Sequence, residues 1–284
     1  MILITGASGN VGKEVLKQVV VSGARVRAAF HSASKAATAP SGVEIATLDY
    51  DQPETLLAAL KGVDKVFVVT PRAQNLVSLE RKVVDAIQQA GGAHIVKLSA
   101  MGGRAAMYLR QHTESEDYIK SSGMPYTFLR PNGFMQNLVN YSATTIVSQN
   151  AFYGCQGEGK VSYIDLRDVA AVAVKALTED GHEDMTYTLT GPRALANAEL
   201  AQILSDDLGR EIRYVDLPVE QFKQALLAAG RPEWSANGLI DLQQHYRSGD
   251  ASTVTTDVEQ LLRRRPRSFE QFSRDHVSVF QAAA

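Results

Sequence analysis

Cysteine is almost missing from this chain of 284 residues. Cys155 stands alone, so an intramolecular disulfide is impossible and a cluster of thiolate metal ligands does not fit. No apolar run approaches the roughly 20 residues needed to span a bilayer. Positive charge is not in excess either: 29 Lys and Arg face 31 Asp and Glu, a formal net charge of −2. A chain so balanced generates no global basic field for nucleic acid or an anionic membrane. The one dense basic run, Arg263 to Arg265 with Arg267, is interrupted by Pro266 and reads as a solvated turn. The six histidines are scattered without ligand spacing, so no metal is expected. Internal repeats, low-complexity tracts and long linkers are absent too. The chain opens directly on an apolar segment, with no stretch resembling a signal peptide. The expectation is a cytoplasmic protein in a reducing compartment.

What is present is ordinary in bulk, 45% hydrophobic and 21% charged, and long enough for one or two domains with full cores. The informative stretch is the first dozen residues, MILITGASGNVG. Ile2, Leu3 and Ile4 form a short apolar run suited to a buried parallel strand. Gly6, Gly9 and Gly12 punctuate a turn, and from Val11 the apolar spacing becomes helical through Val15, Leu16, Val19 and Val20. Strand, glycine turn and helix in that order make a phosphate cradle. Gly6 allows the tight turn, Gly9 lets the backbone approach a pyrophosphate, Gly12 lets helix and strand pack closely, and the helix N-terminus faces the anion. The expected contacts are Gly6, Ala7, Ser8, Gly9, Asn10, Val11 and Gly12. An ordinary strand-to-helix turn can use the same glycines; position between strand and helix is what favours the cradle.

Further strands are expected at 25–30, 43–48, 65–69, 94–98 and 125–129, with helices at 53–61, 75–90 and 112–121. A polar loop follows residue 30. This alternation predicts an α/β, Rossmann-like, doubly wound parallel sheet covered by helices. Beyond residue 131 the rhythm loosens: helix at 134–147, a glycine-rich turn at 154–159, helix at 165–177, strand at 186–189, helix at 195–208, strand at 212–217, then mostly helix. The expected organisation is a nucleotide domain over 1–150, with later contributions from about 160–191, and a smaller α+β substrate lobe over 151–284. A substrate would sit in a cleft outside the carboxyl ends of the strands.

The end of the second strand reports on the cofactor. A site selective for NAD places Asp or Glu there to bind the ribose hydroxyls. Here the sequence is Phe30-His31-Ser32 with Lys35 close behind, and no acid lies between Arg25 and Pro40. Ser32, Lys35 and His31 suit a 2′-phosphate, so NADP(H) is favoured over NAD(H); as plain loop residues, His31 and Lys35 would need no ligand. Asp49 and Tyr50 follow the third strand, where an adenine would lie. Thr70, Pro71 and Arg72 end the fourth strand, beneath the cofactor's centre. Ser99 and Met101 end the fifth, toward the nicotinamide.

Three stretches, Thr5-Gly-Ala-Ser-Gly-Asn-Val-Gly12, Leu48-Asp-Tyr-Asp-Gln-Pro-Glu-Thr-Leu56 and Gly62-Val-Asp-Lys-Val-Phe67, resemble the extended short-chain dehydrogenase/reductases. His112-x-x-x-Glu116 followed by Ser122-Gly-Met-Pro-Tyr-Thr-Phe-Leu-Arg-Pro-Asn-Gly-Phe134 resembles the NmrA-like atypical branch, as do Tyr163-Ile-Asp-Leu-Arg-Asp-Val-Ala170, Glu199–Leu204 and Arg265-Pro-Arg-Ser-Phe269. That branch includes NAD(P)H:quinone oxidoreductases and triphenylmethane-dye reductases. The resemblance implies that Pro131 to Asn137 walls the nicotinamide, with Asn132 or Asn137 for amide hydrogen bonds and Phe134 for ring packing. Met101, Phe134 and Asn137 would line the substrate pocket. Asn132 would also serve as a helix N-cap.

One expected feature is missing. Typical short-chain dehydrogenases use Tyr-x-x-x-Lys to exchange a proton with an alcohol or carbonyl. None of the ten tyrosines has lysine four residues on. Tyr108-x-x-x-His112 is the nearest remnant, and its His112 could equally line the helix; Glu116 and Lys120 read as an exposed helical ion pair. Trp234, Phe222 and Leu226 read as core, and Cys155 has no role. Without the dyad, hydride transfer to a quinone-like or other conjugated acceptor leads, because such an acceptor delocalises the incoming charge. The alternatives are a catalytically silent NADP(H) sensor that binds protein partners, and a nucleotide-sugar epimerase-like enzyme. A homodimer is left open.

Overall fold

The computed structural model describes residues 1–281. The chain runs β1 (Ile2–Ile4), α1 (Asn10–Val21), β2 (Val26–Phe30), α2 (Ala33–Ala36), β3 (Glu44–Thr47), α3 (Pro53–Ala59), β4 (Lys65–Val68), α4 (Leu76–Gln89), β5 (His94–Leu98), α5 (Met107–Ser121) and β6 (Tyr126–Pro131). It continues through α6 (Gln136–Gln149), β7 (Ala151–Gly154), α7 (Leu166–Thr178), β8 (Met185–Leu189), α8 (Asn197–Leu208), β9 (Arg213–Asp216), α9 (Val219–Ala228), α10 (Glu233–Arg247), α11 (Asp257–Leu262), α12 (Phe269–Asp275) and α13 (Val277–Phe280).

Seven strands form one sheet in the order β3-β2-β1-β4-β5-β6-β8, and the pairings from β3 through β6 are parallel. This is the Rossmann-like arrangement expected from the alternation of strand and helix. The chain winds outward from β1 through β2 to β3, returns to β4 on the other side of β1, and winds outward again. The crossover between β1 and β4 is therefore the topological switch point, where ligands bind at the carboxyl ends of such sheets. All three residues of β1 are buried, as a central strand covered on both faces requires. In α1 the buried positions are Val11, Gly12, Val15, Leu16 and Val19, one face of the helix.

Two compact units divide the chain. One comprises Met1–Ala100, Gln111–Arg130 and Val169–Thr188, and the other Met101–Arg110, Pro131–Asp168 and Leu189–Ala284. The boundary thus falls near residue 131 rather than 150, because α6 packs on β7 and α13, outside the large sheet. The second unit has its own core around Phe152, Leu204, Phe269, Phe272 and Phe280. It also contains a parallel pair, β7 with β9, in which Phe152 faces Tyr214 in register. Strand β7, Ala-Phe-Tyr-Gly, lies between the expected helix at 134–147 and the expected glycine-rich turn at 154–159 and was not itself expected. Likewise α2 replaces part of an expected loop, and α5 begins five residues early because Tyr108 and Leu109 are buried. Among the described residues no helix is long and apolar enough to cross a membrane.

The arginine run is also not a solvated turn. Asp168 at the start of α7 is fully buried; Arg264 Nη2 donates to it at 2.6 Å, the Arg267 backbone N–H at 2.7 Å, and the Arg267 guanidinium donates as well. Sequence spacing cannot reveal a partner about a hundred residues away.

Candidate active site

The glycine turn sits at the switch point. Thr5 Oγ1 lies 3.1 Å from the Phe67 carbonyl and 3.0 Å from that of Val69, and accepts from the Val69 N–H, stitching the ends of β1 and β4 together. Gly6 has φ +56°, and a Cβ there would meet the Val69 carbonyl oxygen at 2.7 Å; at Gly12 a Cβ would meet the Gly6 carbonyl at 2.3 Å. Those two glycines are required by the chain's own packing. Gly9 is different. A Cβ there would find only the Gly6 carbonyl, at 3.3 Å, and its φ of −79° suits any residue. Ser8, Gly9 and Asn10 are exposed. No side chain caps α1 and no acid occupies its first turn, so the orphan N–H groups and positive end of the dipole remain suited to an anion. The residues present fit a pyrophosphate-bearing cofactor.

Around this turn the strand ends differ in what they offer. His31 and Lys35 are exposed and Ser32 half-buried, its Oγ 3.1 Å from Ser34 Oγ. Asp49 organises its own turn by accepting from the Asp51 N–H and Gln52. Tyr50 is half-buried, and burial, with the Glu80 carboxylate behind it, pushes its hydroxyl up to about 12. Pro71 and Arg72 are exposed. Thr70 Oγ1 instead turns inward and donates to Glu80 at 2.9 Å.

Glu80 and Lys97 went unnoticed in the sequence. Both side chains are almost completely buried, with Lys97 Nζ 2.5 Å from Glu80 Oε2. Glu80 also accepts from Ser115, and Lys97 faces the Leu98 carbonyl at 3.3 Å and His112 Nδ1 at 3.4 Å. Burial raises the Glu80 carboxyl, but Lys97, with help from His112 and Ser115, overcomes this and holds it below the usual range. His112 is pushed down to about 3 by burial first and then by the Lys97 ammonium. The available signals were a lysine inside the apolar strand HIVKL and a glutamate at Glu80 in the apolar stripe of Leu76, Val83 and Ile87.

A second buried carboxylate corrects another expectation. Glu116 is not an exposed partner of Lys120: it is buried, accepts from Ser99 Oγ at 2.5 Å, and receives the Arg130 guanidinium through both oxygens. Lys120 Nζ instead lies over the Phe128 and Tyr126 rings.

In the second unit, Asn132 Nδ2 donates to Ser162 Oγ and the Ala251 carbonyl, both at 2.8 Å, while its Oδ1 accepts from the Gly133 N–H. Its amide therefore fixes the turn after β6 and is not free for a cofactor. Nor does it cap a helix, since α6 begins at Gln136 with Met135 before it. Phe134 and Met101 are half-buried and Asn137 is exposed. The Met101 N–H donates to the Pro131 carbonyl. Tyr108 donates to the Ser235 carbonyl at 2.8 Å, with its ring edge-on to Trp234, whereas His112 is oriented by Lys97. Trp234 and Leu226 are half-buried; Phe222 is core. A polar cavity of about 920 Å³ in this unit is lined by Lys160, Tyr214, Asp216 and Arg247 among others; Met101, Phe134 and Asn137 are not part of it.

A family model described as the NmrA-like family matches residues 1–272. The chain belongs to that family. Among its relatives, the NAD(P)H azoreductase of Xenophilus azovorans is 40% identical over 287 residues, covering all of both chains. Quinone oxidoreductase 2 of Escherichia coli is 30% identical, covering 85% of this chain and 86% of that one. The structure of a Citrobacter sp. triphenylmethane reductase complexed with NADP(H) matches with a TM-score of 0.88 at 28% identity, covering 98% of this chain and all of that one.

The glycine turn of this chain suits a dinucleotide, and its strand ends carry a fixed ionic cluster. The tyrosine hydroxyl nearest the expected active-site helix is engaged elsewhere. Such an arrangement orients and stabilises more readily than it delivers protons from a tyrosine.

Proposed function

We propose that this NmrA-like protein is an NADP(H)-preferring oxidoreductase that reduces a quinone-like or dye-like conjugated acceptor without a Tyr-x-x-x-Lys dyad. The chain is an NAD(P)H-dependent reductase by kinship with the azoreductase and quinone oxidoreductase. The observation that carries the cofactor reading is the contrast among the three glycines. Gly6 and Gly12 answer to internal packing, whereas Gly9 is open to solvent beside uncapped helix N–H groups.

In this reading Gly6 to Gly12 hold the pyrophosphate, and His31, Ser32 and Lys35 receive a 2′-phosphate. Asp49 and Tyr50 border the adenine, and Thr70, Pro71, Arg72 and Ser99 border the central and nicotinamide parts. Phe134 packs on the nicotinamide side, and Met101 and Asn137 meet the acceptor. Asn132 supports them by holding its turn. When bound, the reduced nicotinamide supplies the hydride. The chain's contribution is orientation and a fixed polar surround. A conjugated acceptor spreads the negative charge it gains and takes protons from water, which removes the need for a tyrosine acid.

Binding and turnover test this separately. Titration should give tighter binding of NADPH than of NADH, and NADPH should be oxidised when a benzoquinone or azo dye is added. Binding without turnover by any acceptor, together with partner binding that differs between NADP+ and NADPH, would replace the enzyme with a redox sensor.

A further inference from the structure

Lys97 is a fully buried ammonium with three protons; Glu80 Oε2 accepts from it at 2.5 Å and the Leu98 carbonyl at 3.3 Å, and His112 Nδ1 lies 3.4 Å away. A lysine ammonium has no lone pair. A proton on His112 Nδ1 would therefore point at another N–H, in a site where unmatched donors are costly. The tautomer follows: Nδ1 is the acceptor and Nε2 carries the proton.

We propose that Lys97, held in place by Glu80, is a positioning residue that fixes His112 as an uncharged imidazole with its proton on Nε2. His112 then offers a neutral hydrogen bond to charge developing on the acceptor and does not act as an imidazolium acid. The cluster joins three elements and the turn after β4: Thr70 in that turn, Glu80 on α4, Lys97 on β5, and His112 and Ser115 on α5. The carboxyl end of the sheet is where ligands bind in such folds.

Lys97 and Arg72 oppose protonation of His112, as does burial, while the Glu80 carboxylate favours it. Glu80, however, accepts from Thr70, Lys97 and Ser115 together, so its charge is directed at Lys97. A neutral imidazole donor also suits an enzyme without a catalytic tyrosine, since it steadies charge without needing to change protonation state. This functional consequence rests on the reductase reading, but the tautomer itself does not.

The test is nitrogen NMR of the intact protein labelled at histidine, read from about pH 5 to 8, alongside acceptor kinetics. Wild-type His112 should show the Nε2–H form with no titration across that range. Lys97→Met should admit the Nδ1–H form alongside the Nε2–H form within the same pH range. If Lys97→Met fails to fold because Glu80 loses its partner, the neutral pair Glu80→Gln with Lys97→Met provides the same readout. With acceptor saturating, kcat should fall about tenfold while KM for NADPH changes less than about twofold, the scale expected on losing an orienting partner. A wild-type His112 that titrates between pH 5 and 8 or carries its proton on Nδ1 overturns the proposal. So does a foldable variant with unchanged tautomer. Failure of every acceptor to oxidise NADPH, with the NMR result intact, would instead refute the reductase reading and leave the lock standing.

Discussion

At the scale of single residues, the three glycines of the first turn make separable predictions. Gly12→Val places side-chain atoms where even a Cβ lies 2.3 Å from the Gly6 carbonyl, so it should lower Tm sharply and yield little folded protein. Gly9→Val starts from a Cβ whose one close neighbour is the Gly6 carbonyl, at 3.3 Å. It should fold with a circular dichroism spectrum like that of the parent and lose NADPH binding by at least about a hundredfold, the consequence of displacing a pyrophosphate from the helix N-terminus. Unchanged NADPH affinity in folded Gly9→Val would remove the phosphate from this turn. The same scale sets a pH dependence. His112 is held at about 3 in the folded protein against an ordinary value near 6.5, so the unfolded chain takes up that proton first on acidification. Its contribution to stability is complete above about pH 6.5 and is lost progressively as pH falls toward 3. Glu80, also held low, adds the same sign at lower pH. Denaturant midpoints should therefore begin to fall below about pH 6.5, and His112→Gln should flatten the upper part of that slope.

At the scale of elements, the return of residues 264–267 onto α7 is held by an ion pair rather than by apolar packing alone. Asp168 is fully buried, while Arg264 and Arg267 remain 40% and 27% exposed. Removing both guanidinium groups leaves the buried carboxylate without a counter-charge and with only the backbone N–H of residue 267 on it, so Arg264→Ala with Arg267→Ala should cost about 3 kcal/mol in urea unfolding. Asp168→Asn should cost less, because an amide is cheaper to bury than an unpaired charge and the two arginines keep access to water. These elements also mark what a sequence can disclose. The strand–glycine–helix opening and the order of β1 through β6 were legible because apolar periodicity and turn residues act locally. Strand β7 was not, since Ala-Phe-Tyr-Gly shows no alternation of apolar and polar residues and runs straight into a glycine-rich turn. The partners of Asp168, Glu116 and Lys97 were not legible either, because an ion pair between distant segments leaves no spacing to read. Asn132 was legible as a turn residue but misread as a ligand, because the acceptors on Ser162 and Ala251 that engage it lie far along the chain.

At the scale of the whole molecule, two units, each with its own core, carry the chain, and the seven-stranded sheet assembles the glycine turn and the ionic cluster on one unit. Family membership extends this organisation over nearly the full length. The proposed cofactor preference is tested at this scale through the segment after β2. Ser32→Ala with Lys35→Ala should reduce the NADPH-to-NADH ratio of kcat/KM by about tenfold, roughly the worth of one charge-assisted hydrogen bond, while leaving kcat with NADH unchanged. An unaltered ratio would move recognition of the phosphate away from these residues. The central claim is that hydride reaches a conjugated acceptor from NADPH, and its most direct measurement is NADPH oxidation followed by absorbance against a panel of quinones and azo and triphenylmethane dyes, with NADH in parallel and binding of both cofactors titrated. Turnover is expected with at least one acceptor, faster with NADPH than with NADH. Tight NADPH binding with no turnover across the panel would contradict it.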